Sequence, residues 1–104
     1  MRYIIKFSFP NDVGNAAVKD PQFGHKVQEY LTEIKAEAAY FCPVDGQRGG
    51  YFVVSFDDAS KIAGTLEPLF MWLQADVELI PVMTMEDLQK AGPSIGAAIN
   101  KWGK

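Results

Sequence analysis

The chain has 104 residues, a formal net charge of −3 and a hydrophobic share of 48%, which suits one domain over 1–104 and argues against a basic nucleic-acid groove. A mass of 11.5 kDa implies that roughly two-thirds of the unfolded surface is buried on folding, enough for one core with little margin. Cys42 is the single cysteine, so no intramolecular disulfide forms; with no basic-then-apolar leader and no run of membrane-spanning length, the chain reads as cytoplasmic, soluble and without a membrane partner.

Arg2 to Phe9 is rich in aromatic and β-branched residues and reads as a strand that stops at Pro10-Asn11-Asp12. Asn11 to Asp20, with Gly14 and Asn15, reads as a loop. Asp20-Pro21 has the chemistry of a helix start: a carboxylate for free amides, then a ring that needs no donor. Phe23, Val27, Tyr30, Leu31, Ile34 and Ala38 follow at helical spacing, and the helix is expected to end near Ala38. Tyr40 to Pro43 is a short strand, Asp45 to Gly50 a turn with several positions free to take positive φ, and Tyr51 to Phe56 another strand. Asp57-Asp58 can cap the next helix, whose face carries Ile62, Leu66, Leu69, Phe70 and Leu73; Pro68 is expected to kink or break it. Asp76 to Val82 is the last strand of the series. Thr84-Met85-Glu86-Asp87 is a capping signal for a short helix that Gly92-Pro93 ends. Ile95, Ile99 and Trp102 mark a C-terminal helix too short to be stable unless its stripe docks on something.

The resulting βαββαβ order predicts an α+β fold: a ferredoxin-like four-stranded antiparallel sheet with helices on one face. Strand alternation sends Tyr3, Ile5, Phe7, Phe9, Phe52, Val54, Phe56, Val77 and Leu79 toward the helices. The other face mixes Ile4, Val53, Ile80 and Val82 with Arg2, Lys6, Ser55 and Glu78. A contiguous apolar patch is not expected to face bulk water, and unpaired charges are not expected in a dry core. A sheet packed on a copy of itself around a partly polar interior satisfies both conditions, so a homodimer through the sheet face is predicted.

The order of elements, the hairpin Gly46-Gln47-Arg48-Gly49-Gly50-Tyr51 and the tail from Val77 to Leu88 resemble the dimeric α+β-barrel superfamily, whose members pair ferredoxin-like sheets into a barrel. Within it the chain resembles an uncharacterised bacterial group close to the muconolactone-isomerase-like branch. The resemblance extends over nearly the whole chain and implies fold and dimerisation. For activity it implies only a range, from isomerases and cofactor-independent monooxygenases to haem-dependent members and proteins with no assigned chemistry.

Glu78, mid-strand on the mixed face, is the candidate general base, since apolar surroundings raise a carboxylate pKa; the structural alternative is a pair with Lys6 or Arg2. Lys6 is its candidate catalytic companion, and Lys6 or Arg2 could hold a substrate carboxylate. His25, the only histidine, is the third catalytic candidate, as a proton shuttle if the helix start faces a cleft; it points away from the apolar stripe of its helix, and otherwise is expected in solvent. Tyr40, Tyr51 and Ser55 are candidate ligand contacts on strands. Arg48, between glycines, could cradle an anion, against the default of a solvated hairpin tip. Cys42 reads as a small buried hydrophobe rather than a nucleophile. Met71 and Trp72 leave the stripe of their helix and mark a contact with a partner, the C-terminal helix or a ligand, unless Pro68 resets the phase. No motif calls for a metal or a cofactor, though haem or flavin held by shape stays open. Two function classes remain: a small-molecule enzyme, isomerase or cofactor-free monooxygenase, and a non-catalytic dimeric module binding a small apolar or anionic ligand.

Overall fold

In the computed structural model, which describes residues 1–103, the chain runs β1 (Arg2–Ser8), α1 (Asn11–Lys19), α2 (Phe23–Glu33), β2 (Ala38–Val44), β3 (Gln47–Ser55), α3 (Lys61–Leu73), β4 (Asp76–Pro81), α4 (Met85–Lys90) and α5 (Gly92–Trp102). The four strands form one antiparallel sheet in the order β2-β3-β1-β4, an α+β arrangement compatible with a ferredoxin-like fold. Among the described residues, no helix is long and apolar enough to cross a membrane.

Strand alternation sorts the residues as expected. Ile5, Phe7, Phe9, Phe52, Val54 and Phe56 are buried with Tyr30 of α2 and with Leu69 and Leu73 of α3, and Tyr3, Val77 and Leu79 pack against them. The register places Ile4 between Val53 and Ile80, and Lys6 between Tyr51 and Glu78, on the opposite face. No bulge inverts the pattern, because a one-residue slip would put the phenylalanines of β1 and β3 into water.

The β2–β3 turn is tighter than expected. Asp45 and Gly46 alone take positive φ, at 52° and 79°, the conformation that a two-residue hairpin turn needs to match strand twist. Gly49 and Gly50 lie within β3, where a Cβ would sit 2.0 Å from the Phe7 carbonyl oxygen and 2.1 Å from that of Tyr40, respectively. They are glycines because neighbouring backbone comes too close for any side chain. Over this end of the sheet, Val44 and Ser8 are buried and the Asp45 carboxylate lies 3.9 Å from Lys6 Nζ.

Three helix boundaries differ from the sequence expectation. Residues 11–19 form α1 rather than a loop. Val13 and Ala17 occupy one helical face against the core, and buried Gly14 fits where a Cβ would meet the Phe9 ring at 3.1 Å. Asp20 is not the N-cap of α2: its Oδ1 accepts the Gln22 amide at 2.9 Å in a turn ahead of the helix, which is entered from Gln22 without a side-chain cap and ends at Glu33 instead of near Ala38. Lys35 takes φ 53°, and the amides of Ala36 and Lys35 donate to the carbonyls of Leu31 and Thr32, a Schellman ending without glycine. Gln74 closes α3 in the same left-handed conformation. Pro68 does not break α3, which continues through it; the Gly64 carbonyl simply forgoes its amide.

Beyond β4, the Thr84 capping box forms as expected, with Thr84 Oγ1 accepting the Asp87 amide at 3.1 Å and Asp87 Oδ2 accepting the Thr84 amide at 3.0 Å. Helices α4 and α5 pack chiefly on each other and extend the molecule to 58 × 28 × 21 Å.

Candidate functional site: an aromatic cavity under the helices

Between the sheet and the helix layer lies a cavity of about 660 Å³, within the size range of small-molecule sites. Its sheet wall is aromatic because alternate positions of β1, β2 and β3 point inward: Phe7, Phe41 and Phe52, extended by Phe9 just past β1. Phe23, Val27 and Tyr30 line it from α2, and Leu69, Trp72 and Leu73 from α3. The rings brace one another, with centroids 4.6 Å apart for Phe7–Phe52, 5.8 Å for Phe41–Phe52 and 5.5 Å for Phe23–Trp72; such tilted contacts hold aromatic walls in place. Phe41 is 59% exposed, so the wall it forms also reaches the opening.

The polar lining is confined to a few groups. Asn11 and Asn15 come from α1, and Gln47 and Arg48 from the start of β3. Arg48 Nη1 donates to Asn15 Oδ1 at 3.0 Å, and the Phe9 amide donates to the Arg48 carbonyl at 3.0 Å, which ties hairpin, strand and α1 together at one end. Tyr30 is buried, and its hydroxyl donates to the Thr65 carbonyl at 2.7 Å. Burial pushes its phenol well above the ordinary tyrosine range, so this group stays protonated and committed.

The open face of the sheet collects most of the sequence-derived candidates. Arg2 Nε donates to Glu37 Oε2 at 2.7 Å and Nη2 to Oε1 at 3.3 Å, while the Ser55 hydroxyl donates to Oε1 at 3.1 Å. The Arg2 hydrogen bond holds Glu37 below the usual carboxylate range despite opposing desolvation, and Ser55 adds to it; Glu37 in turn raises Arg2. Lys6 Nζ lies 4.0 Å from Glu78 Oε1, and Lys6 shares its cross-strand row with Tyr51, which pairs with Tyr40. Tyr40 is 64% exposed, and the Glu78 side chain is 67% exposed.

The candidates therefore separate. Glu78, Lys6, Arg2, Ser55, Tyr51 and Tyr40 share the open face; Trp72 and Arg48 belong to the cavity beneath the other face; His25 is exposed on α2. Met71 is exposed, and its neighbour Trp72 turns in against Phe23. Arg48 is exposed at the start of β3, as a solvated hairpin arginine would be, and Asn15 accepts one of its N–H groups; Cys42 is exposed rather than buried. Sequence reading missed Glu37 as the partner of Arg2, and Asn11 and Asn15 as lining residues, since both sat in a segment taken for a loop. The signal for α1 was the i,i+4 spacing of Val13 and Ala17 directly after Pro10.

Among the described residues, no group of three or more His, Cys, Asp or Glu side chains is placed to hold a metal ion. No protein-family model matches the chain, and no curated protein is similar to it in sequence.

Proposed function

We propose that the protein is a homodimeric, ferredoxin-like α+β-barrel protein that binds a small, largely aromatic molecule between its sheet and helices. The cavity carries this reading: about 660 Å³ walled by phenylalanines, Trp72 and leucines, apolar surface whose exposure to water is relieved by an apolar ligand. Binding is favoured over turnover by what lines the space. Its titratable side chains are Tyr30, Cys42 and Arg48, and Tyr30 is already bonded to Thr65, which leaves no carboxylate or imidazole against a ligand to move a proton. Titration calorimetry with the neutral probe 2-naphthamide tests it. Saturable binding, one molecule per chain, that is lost in Val27→Trp is expected; no saturable heat in the parent protein with this probe or with its carboxylate counterpart 2-naphthoate rules the reading out.

The second copy is supported by surface and charge. The solvent-accessible area is 7202 Å², about 1,400 Å² more than a compact monomer of this mass exposes, whereas a stable dimer covers only about 800 Å² per partner. The radius of gyration, 17.5 Å, likewise exceeds the roughly 13 Å of a compact domain of this length. Met85, Leu88, Ile95, Ile99 and Trp102 on α4 and α5, and Met83 just ahead of them, are all exposed. On the open face, the charges that accompany Ile4, Val53 and Ile80 are already paired within the chain, which lowers the cost of covering them. Light scattering on the intact protein tests this: twice the chain mass is expected, and a monomer at micromolar concentration removes the dimer. A carboxylate-dependent isomerase, the alternative with Glu78 as base and Lys6 beside it, needs that second copy to enclose a side chain now 67% exposed.

A further inference from the structure

The walls of the cavity account for the apolar bulk of a ligand, and its mouth accounts for one more feature. The chain has two arginines. Arg2 is matched to a carboxylate, Glu37, through two hydrogen bonds. Arg48 is not: among the described residues, no carboxylate oxygen lies within 4.0 Å of its guanidinium, and its one side-chain partner is the neutral amide of Asn15. Its place is nevertheless built. The side chain crosses α1 at buried Gly14, where a Cβ would stand 2.9 Å from Nη1 and 3.3 Å from Cδ; any larger residue there would displace it. Asn15, one residue on, takes a single N–H of the five that a guanidinium carries. The remaining fork stands at the rim of an aromatic cavity, with Asn11 and Gln47 on the same lining.

We infer that Arg48 is the recognition point for an anionic group on the ligand, and that the ligand class is an aromatic organic anion, with a carboxylate as the group whose two oxygens match the guanidinium fork. The inference rests on the cavity reading above. The aromatic body occupies the space between Phe52 and Trp72, and the anion stays at the rim, where Arg48 meets it without a buried counter-charge having to be displaced. Asn15 is a positioning residue: it holds the guanidinium over Gly14 and fixes which N–H groups stay available.

Titration calorimetry with 2-naphthoate and its neutral isostere 2-naphthamide tests this on the parent protein and on Arg48→Gln. The parent is expected to bind naphthoate roughly 10- to 100-fold more tightly than naphthamide, the range of a charge-assisted hydrogen bond. Arg48→Gln is expected to erase that difference by weakening naphthoate far more than naphthamide, and saturable naphthamide binding by the variant shows that it keeps its cavity. Equal affinity of the parent for the two probes overturns the inference while the cavity reading stands. Equal weakening of both probes by Arg48→Gln also overturns it, because Arg48 would then only shape the mouth. If neither probe binds, the cavity reading falls and this inference with it.

Discussion

Gly50 is the residue whose replacement should cost most for the smallest chemical change. A Cβ built there meets the Tyr40 carbonyl oxygen at 2.1 Å and the Phe41 Cα at 3.1 Å, against an ordinary contact of 3.4 Å or more. Both atoms belong to the backbone of β2, so relief requires the strand to move away by more than about 1 Å, in a sheet whose strands are spaced about 4.8 Å apart. That separation strains packing by about 1–3 kcal/mol and weakens the ladder around Phe41–Gly50 and Tyr40–Tyr51, at about 1 kcal/mol for each hydrogen bond lost. A total near 3 kcal/mol corresponds to a fall in melting temperature of roughly 12–24 °C. Gly64→Ala is the matched control: nothing lies within 4 Å of a Cβ there, the residue lies within α3, and alanine in a helix interior gains about 0.5–1 kcal/mol. Thermal melts followed by circular dichroism should therefore move in opposite directions. A Gly50→Ala protein melting within about 3 °C of the parent would refute the close approach of β2 to β3 at this point, since 1 kcal/mol already moves a domain of this size by more.

Three further outcomes are expected. Tyr30→Phe removes the bond to the Thr65 carbonyl and should destabilise by about 1–2 kcal/mol. Because burial raises the folded phenol, the folded state holds its proton more tightly than the unfolded chain; this stability is complete below about pH 10 and is lost progressively above it, and melts between about pH 9 and about pH 11 should show less decline in Tyr30→Phe. Lys35→Gly should raise the melting temperature by a few degrees, since glycine relieves about 1 kcal/mol of left-handed backbone strain; a lower melting temperature would contradict the ending of α2. Glu37→Gln should flatten the acid side of the stability profile. Arg2 holds the folded carboxyl below its ordinary range, so the stabilisation is complete above that range and is lost as pH falls through the folded value. Asp58 and Asp87 are lowered by the backbone amides of Ser60 and Thr84 and contribute equally to both proteins. Identical acid profiles for parent and variant would remove the Arg2–Glu37 link.

The sheet was legible because period-two alternation is unambiguous when phenylalanines fill one face; Phe7, Phe52 and their neighbours could not have been placed in solvent. Helix ends were less legible. Lys35 and Gln74 adopt left-handed φ values that sequence reasoning assigns to glycine, so nothing local announced where α2 stops. Gly14 is the converse case: it is needed for its size beneath Arg48 and Phe9, not for conformational freedom, so a loop reading of 11–20 overlooks α1 and with it Asn11 and Asn15 on the cavity lining. Glu37 went unseen because it lies just before β2 and reaches Arg2 across β3, a pairing between residues 35 positions apart that only the register of three strands creates. Trp72 stood out by leaving the stripe of its helix, yet only the packing of α3 against Phe23 shows which way it turns.

Nuclear Overhauser contacts between 2-naphthoate ring protons and the methyl groups of the intact protein would locate the ligand directly. Contacts to Val27, Leu69 and Leu73, which line the cavity, are the expected result. Contacts to Ile4, Val53 and Ile80 on the open face of the sheet, with none to the cavity methyls, would contradict it.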